Sequence, residues 1–285
     1  MIPGSFEYYA PHSLADAVKY LAAHRDDVKV LSGGQSLLPL MKMRLSKPSF
    51  LVDIGRVPGL DTIIEEGNNL IIGALVTHAQ IESSELLQRT CPLLPQTATT
   101  IADVQVRNRG TIGGSIAHAD PAGDWPAAIL ALDAEIKIAG PSGERWVKCD
   151  DFFLGLLMSV LEPDELVTAI KVPVTGSDKT AYLKAAPRSS GFAVVGVAVR
   201  IGLDAAGTCN RAAAGITGVT DKAYRPERAE QMLLGKKLDS QLIEAAAAGS
   251  TRNVEVIEDI NGSAEYRKHL TGDYFARAIQ EALTR

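Results

Sequence analysis

Residues 107–126, Arg-Asn-Arg-Gly-Thr-Ile-Gly-Gly-Ser-Ile-Ala-His-Ala-Asp-Pro-Ala-Gly-Asp-Trp-Pro, constrain this chain more than any other stretch. An apolar helix-like run precedes them and another follows, so they read as a long loop between two packed elements. A loop of that length inside a compact domain is either functional or disordered. This one is too apolar and too particular in composition for disorder. Gly110, Gly113, Gly114 and Gly123 let the backbone pass close to a ligand, with N–H groups turned toward it. Thr111 and Ser115 add hydroxyls, and His118, Asp120 and Asp124 place polar groups just beyond. Amides and hydroxyls flanked by carboxylates suit a ligand that carries phosphates together with ribose or heterocycle donors. The expectation is a dinucleotide.

A second glycine loop lies roughly 80 residues upstream. Val28–Leu31 reads as a strand running into Ser32-Gly33-Gly34-Gln35-Ser36, followed by a helix-like run from Leu37 to Leu45 and a strand over 50–54. That is a β-α-β unit with its glycines at the strand's carboxyl end, where α/β folds hold ligands. Neither Gly-x-Gly-x-x-Gly nor Gly-x-x-x-x-Gly-Lys-Ser/Thr is present. A lone Gly33-Gly34 turn is weak evidence, and a tight turn without ligand is its ordinary reading. Two such loops, each leaving an apolar segment, are able to clamp a diphosphate from both sides.

The remaining pattern is regular. A helix is expected over 13–25, with Ser13 as N-cap and Asp16 three residues on. Helices are expected over 77–87, 95–104 and 125–132, the last entered through Asp124 as cap. Strands are expected over 69–74, 134–139, 145–148 and 165–172, with an apolar knot over 151–157. From about residue 177, strands over 180–186, 194–203 and 211–218 form a small antiparallel sheet. Helices over 227–234, 238–248 and 265–283 follow, the last placing Tyr266, Leu270, Tyr274, Phe275 and Ala278 on one side for core packing.

Length allows one large core or two to three modest ones in 285 residues. A net charge of −5 argues against nucleic acid or an anionic membrane surface as the main partner. No apolar run reaches the roughly 20 residues that span a bilayer, and the first residues lack a signal peptide's pattern. Cytoplasmic residence is the expectation, the inner face of the membrane included. Cys91, Cys149 and Cys209 stand far apart without a Cys-x-x-Cys pair, so they read as buried small hydrophobes rather than cluster or zinc ligands. His118, Asp120 and Asp124 make a poor metal set, and His78 reads as a structural histidine near a helix start. Arg107 and Arg109 serve either surface ion pairs or a partner face.

At these two loops the sequence resembles the flavin-binding medium subunits of molybdenum hydroxylases, above all those of the carbon monoxide dehydrogenase type. It is also similar to the flavin domain of xanthine dehydrogenase. The resemblance rests on Ser32-Gly33-Gly34-Gln35-Ser36-Leu37-Leu38-Pro39, Arg109-Gly110-Thr111-Ile112-Gly113-Gly114, and Ala119-Asp120-Pro121 with Asp124. Ile72-Gly73-Ala74, Glu162-Pro163-Asp164-Glu165-Leu166 and Tyr182-Leu183-Lys184 are weaker matches in the family's order. It covers essentially the whole chain. Gln35 and Ser115 stand where the family often has His and Asn, and Gly191-Phe192 where it often has Asp-Tyr.

The resemblance implies an α+β fold of the vanillyl-alcohol-oxidase type. A β-α-β subdomain (1–57) and a second α/β subdomain (58–176) hold FAD between them. A C-terminal domain (177–285) carries a three-stranded antiparallel sheet and helices. It further implies that Ser32–Ser36 and Thr111–Ser115 cradle the pyrophosphate and that Asp124 bonds the ribityl or ribose side. Leu161 offers main chain near the flavin ring, Lys184 approaches the cofactor, and Phe192 supplies an aromatic. Leu31, Ile101, Ala102, Gly110 and His118 complete the implied set. No residue of this chain is implied as a catalytic acid or base, and no metal ligand. The implied partners are a molybdopterin large subunit and a small subunit with two two-iron two-sulfur clusters, assembled as a dimer of heterotrimers. The implied task is to take electrons from those clusters and pass them to an external acceptor. Two other readings differ in class: a self-contained flavin oxidoreductase, and a cofactor-free scaffold that retains the fold.

Overall fold

The computed structural model describes residues 2–187 and 191–285. Strand β1 (Glu7–Tyr9) and helix α1 (Leu14–Ala23) lead into β2 (Val28–Leu31), α2 (Leu37–Lys42) and β3 (Phe50–Asp53). The three strands form a parallel sheet of order β1-β3-β2, with Leu31 paired to Asp53 at its carboxyl end. Ser13 caps α1 through the amide of Asp16, as the spacing predicts. Ala17 and Leu21 pack on Val52 and Val28. Strand β1 is too short and too exposed to carry a readable alternation.

The second layer is built on a five-stranded sheet. Its strands are β4 (Ile63–Glu66) and β5 (Asn69–Gly73), then β6 (Glu135–Gly140), β7 (Gly143–Lys148) and, after a two-strand ribbon, β10 (Leu166–Pro173); their order is β4-β5-β10-β6-β7. Between β5 and β6 run α3 (His78–Ser83), α4 (Glu85–Thr90), α5 (Leu93–Thr99), α6 (Val104–Arg107), α7 (Ile112–His118) and α8 (Asp124–Ala131). Helix α9 (Cys149–Phe152) and the ribbon strands β8 (Phe153–Gly155) and β9 (Met158–Ser159) precede β10. Ile72, Ile136, Ile138 and Ile170 bury the sheet face against α5, α7 and α8, with Trp125 fully buried among them.

The third unit pairs β11 (Lys179–Ala185), β12 (Val195–Leu203) and β13 (Cys209–Thr217) in antiparallel order. Helices α10 (Glu227–Leu233), α11 (Ser240–Ala248) and α12 (Ala264–Thr284) cover one face. Helix α8 lies on this sheet as well as on its own. At Gly215 of β13 an added methyl group would overlap the carbonyl oxygen of Ala127, so the two backbones touch.

Several sequence expectations are corrected here. Residues 107–126 are no plain loop: α7 runs through them, started by Thr111 and ended by Ala119 in the left-handed region at φ 53°. Its glycines hid it from periodicity. The helix expected over 77–87 is broken at Ser84, which ends α3 and caps α4. The helix expected over 95–104 is α5, ending at Thr99, followed by the separate turn α6. Gly123, not Asp124, is the N-cap of α8, which frees the carboxylate for other work. In the expected apolar knot Phe152 and Phe153 are buried, whereas Leu154, Leu156 and Leu157 are at least half exposed. In α12, Phe275 and Ala278 are buried and Leu270 and Tyr274 pack against the core as expected, joined by Arg267, Thr271, Ile279 and Ala282, while Tyr266 is half exposed. At its start the buried residue is Arg267 rather than Tyr266. Its guanidinium donates to the carbonyls of Val194 and Gly218 and to Asp259, so it serves as a polar core bolt.

Gly215→Ala is expected to destabilise the chain by about 3 kcal/mol, the upper range for forcing an extra methyl into a packed contact. Thermal unfolding of the two proteins side by side measures it, and an unchanged midpoint would contradict the close α8–β13 approach.

Candidate functional site

The two glycine loops meet backbone to backbone. A side chain at Gly33 would overlap the Arg109 carbonyl and come within 2.8 Å of the Gly110 Cα. Gly34 holds φ +75°, a left-handed conformation that favours glycine. The Ser32 and Thr111 hydroxyls lie 2.8 Å apart across the junction, and Thr111 Oγ1 also accepts from the Gly114 amide at 3.1 Å. Gly113 is pressed against Ala74, where no Cβ fits. The junction forms the floor of a cleft of about 900 Å³ between the parallel sheet and the second layer.

The amides are unequally available. Those of Gly33, Gly34, Gln35 and Ser36 have no protein acceptor among the described residues. Those of Ile112, Gly113 and Ser115 are spent on the carbonyls of Val76, Ala74 and Thr111. The first loop therefore offers the main-chain donors, and the second offers hydroxyls and bare Cα surface. The expectation of free amides holds for one loop, not both.

Most residues of the implied set line this one cleft: Ser32–Ser36, Ile101, Ala102, Gly110, Thr111, Gly113, Gly114, Ser115, His118, Asp124, Leu161 and Phe192. Leu31 does not; its side chain packs behind Gly34. Lys184 does not either. Its ammonium is buried and donates to Thr100 O at 2.6 Å, Gly191 O at 2.7 Å and Asp124 Oδ2 at 3.1 Å. All its donors are used inside the protein, so the approach to the cofactor expected of Lys184 is replaced by a bolt behind the wall. Ala102, at φ 41°, sits in the turn that Lys184 and the Arg107 guanidinium hold from either side. Arg107 also pairs with Glu82 at 2.8 Å, which settles its role as an internal tie, whereas Arg109 is exposed.

Asp124 is nearly fully buried and bonded on both oxygens. Tyr182 donates its hydroxyl to Oδ1 at 2.5 Å, a partner that the sequence motif contained but did not reveal. Burial pushes the Asp124 carboxyl up, and the Lys184 charge and the Tyr182 bond oppose that shift. Tyr182 itself is pushed well above its ordinary value by burial and by the Asp124 charge. His78 is buried at the start of α3, as read from sequence. Burial, with Arg107 adding to it, pulls its pKa down to about 4. Sequence reading also missed Arg25, Lys29 and Lys47 on the cleft wall. Arg25 reaches across the mouth to Glu162 at 3.8 Å and Asp164 at 3.6 Å. No periodicity signals such a strap, because its partners lie 137 and 139 residues away.

A dinucleotide fits this cleft on three counts. Its volume lies at the upper end of the several hundred Å³ of ligand pockets, four adjacent amides lack protein acceptors, and glycines leave the surface there clear of Cβ atoms. Lone amides converging in a turn suit a diphosphate.

Lys184→Met should destabilise the chain by about 3–5 kcal/mol by leaving a buried carboxylate without its cation. Thermal unfolding without added ligand measures this; an unchanged midpoint would return Lys184 to the cleft surface. The His78 shift gives a pH signature. Below about pH 6.5 the unfolded chain takes up a proton that the folded chain refuses until about pH 4. Stability therefore falls as pH falls through that window, by about 3 kcal/mol from this residue alone. The difference in unfolding free energy between the wild type and His78→Phe should shrink by that amount from pH 7 to 4.

Comparison with known proteins bears on the same cleft. The family model described as "FAD binding domain in molybdopterin dehydrogenase" matches residues 4–175. The one described as "CO dehydrogenase flavoprotein C-terminal domain" matches residues 180–282. The carbon monoxide dehydrogenase medium chain of Hydrogenophaga pseudoflava is 40% identical, covering 100% of this chain and 99% of its own. The 6-hydroxypseudooxynicotine dehydrogenase complex subunit alpha of Paenarthrobacter nicotinovorans is 37% identical, covering 100% of this chain and 97% of its own. Among solved structures, the carbon monoxide dehydrogenase from Hydrogenophaga pseudoflava that lacks the Mo-pyranopterin moiety superimposes with TM-score 0.97 at 41% identity, over 100% of this chain and 99% of that chain. Quinoline 2-oxidoreductase from Pseudomonas putida 86 gives TM-score 0.93 at 34% identity, over 99% and 98%. With both family models matched across nearly its whole length, the chain belongs to the FAD-binding flavoprotein family of the molybdopterin dehydrogenases.

Proposed function

We propose that this chain is the FAD-carrying electron-transfer subunit of a heteromeric molybdenum hydroxylase. The observation that carries the reading is the cleft whose floor is the Gly33–Gly110 junction, with its row of free amides, in a chain matched end to end by medium subunits. When bound, FAD supplies the redox chemistry, taking electrons from the iron–sulfur clusters of a partner and releasing them to an external acceptor. The chain itself contributes placement and electrostatics. The amides of Gly33–Ser36 and the hydroxyls of Ser32, Thr111 and Ser115 hold the diphosphate. Ile101, Ala102, Leu161 and Phe192 border the ring, and Asp124, fixed by Tyr182 and Lys184, meets the ribityl or ribose side with His118 nearby.

The division into 1–57, 58–176 and 177–285 follows the three sheets and is proposed as the domain organisation. The partners are a molybdopterin large subunit and an iron–sulfur small subunit, in a dimer of heterotrimers. The relatives are named for substrates as unlike as carbon monoxide, 6-hydroxypseudooxynicotine and quinoline. Near-identical folds across such substrates support substrate choice residing on another chain. No helix among the described residues is long and apolar enough to cross a membrane, and residence in the cytoplasm is part of the proposal.

The full chain, purified with its co-expressed partners, should show flavin bands at about 370 and 450 nm over broader iron–sulfur absorption. Denaturation should release about one FAD per chain. A colourless chain that FAD does not reconstitute would overturn the reading.

A further inference from the structure

His78 lies outside the residues assigned above to the cofactor. Its ring nevertheless lines the cleft, at the corner where the two glycine loops meet. Trp125, wholly buried, directs its indole nitrogen at His78 Nδ1 at 3.1 Å. An indole N–H only donates, so Nδ1 accepts, and the neutral ring must carry its proton on Nε2. Burial and the nearby Arg107 charge keep the ring neutral at physiological pH.

The Nε2–H then needs an acceptor. Among the described residues no protein atom provides one, although His78 as a whole is only 4% exposed. The residue above it is Gly110, where an added methyl would stand 2.7 Å from Nε2 and close it off. Glycine at this position leaves the nitrogen reachable. The Gly110 Cα is also the point against which Gly33 packs, so the histidine donor opens beside the free amides of Gly33–Ser36. That corner offers donors from two separate elements. A group with acceptor oxygens and no donors of its own is the complement.

We propose that His78 is a further cofactor-binding residue, donating Nε2–H to an oxygen of the dinucleotide's diphosphate, and that Trp125 is the positioning residue that fixes the donating tautomer. This rests on the FAD reading above. A neutral donor adds directionality at the diphosphate without adding a charge whose protonation would vary between pH 6 and 8, as an ordinary histidine's does.

The test uses the full chain freed of flavin, with its histidine ring nitrogens labelled with ¹⁵N. Long-range proton–nitrogen correlation should show His78 as the Nε2–H tautomer, and added FAD or ADP should move the Nε2 proton downfield while riboflavin does not. His78→Phe should raise the dissociation constants of FAD and ADP about ten- to a hundredfold, the size of a lost bond to a charged acceptor, with riboflavin changed less than about twofold. Trp125→Phe should give a tautomer mixture and a smaller loss. An Nδ1–H tautomer in the wild type, or a His78 signal unmoved by bound FAD, overturns this inference alone; so does a riboflavin loss equal to that of FAD. Wild-type chain that binds no FAD overturns the cofactor reading itself. If His78→Phe fails to fold, the wild-type spectra decide.

Discussion

The structure hangs on one steric fact: there is no room for a side chain between Gly33 and the Arg109–Gly110 peptide. The parallel sheet and the five-stranded sheet have largely separate cores, joined through Leu166 of β10, and the glycine contact brings the two ligand-facing loops within backbone distance. The Ser32–Thr111 hydroxyl pair locks the approach with a polar bond where apolar burial is thin. A Cβ at Gly33 would push the loops apart and move the first loop's amides away from the second loop's hydroxyls. The cleft would lose its floor before it lost its walls. Gly113 against Ala74 repeats the device one turn further on, seating α7 on the end of β5.

Behind the floor, the third unit controls the wall through charge. Lys184 leaves β11 to gather the Thr100 carbonyl, the Asp124 carboxylate and the Gly191 carbonyl around one ammonium. Three chain segments that share no strand pairing are thus referred to a single point. Isolated buried ion pairs are poor stabilisers. This one is fully hydrogen-bonded, with Tyr182 on the other carboxylate oxygen, so its worth lies in where it holds the backbone. The α8–β13 contact at Gly215 acts in the same direction, since α8 begins at Asp124. The wall of the cleft is therefore braced by the C-terminal sheet, although of that unit only Gly191 and Phe192 line it.

How much of this was legible follows from the range of each interaction. The β-α-β unit, the antiparallel sheet and the terminal helices announce themselves through local periodicity, and their ends fall within a few residues of expectation. Helix α7 was hidden because Gly113 and Gly114 look like loop residues, yet here they are glycines for packing rather than for flexibility. The start of the α12 stripe was misplaced because Arg267, held by the carbonyls of Val194 and Gly218 and by Asp259, occupies a core position that a hydropathy pattern assigns to solvent. At the site, the glycines and Asp124 were readable because backbone approach and buried carboxylates demand particular residue types. The direction of Lys184 was not readable, because a lysine beside a cleft has the same letter whether its ammonium points in or back. Nor was the Trp125–His78 pair, whose members stand 47 residues apart.

These long-range pairings share a consequence for a protein whose task is to hold a redox cofactor. Arg25 is matched to Glu162 and Asp164, Arg107 to Glu82, and Lys184 to Asp124, so three cations around the cleft are tied to carboxylates of the protein, while Lys29 and Lys47 on its wall have no ion pair among the described residues. The groups left to meet a ligand at the floor are amides, hydroxyls and a neutral imidazole. Fixed dipoles of this kind need little reorganisation when the charge before them changes. A buried carboxylate such as Asp124 would be costly by itself, and bonding both its oxygens is what makes it tolerable there. At the floor, the field that meets a ligand is therefore a property of the fold, set at the glycine junction.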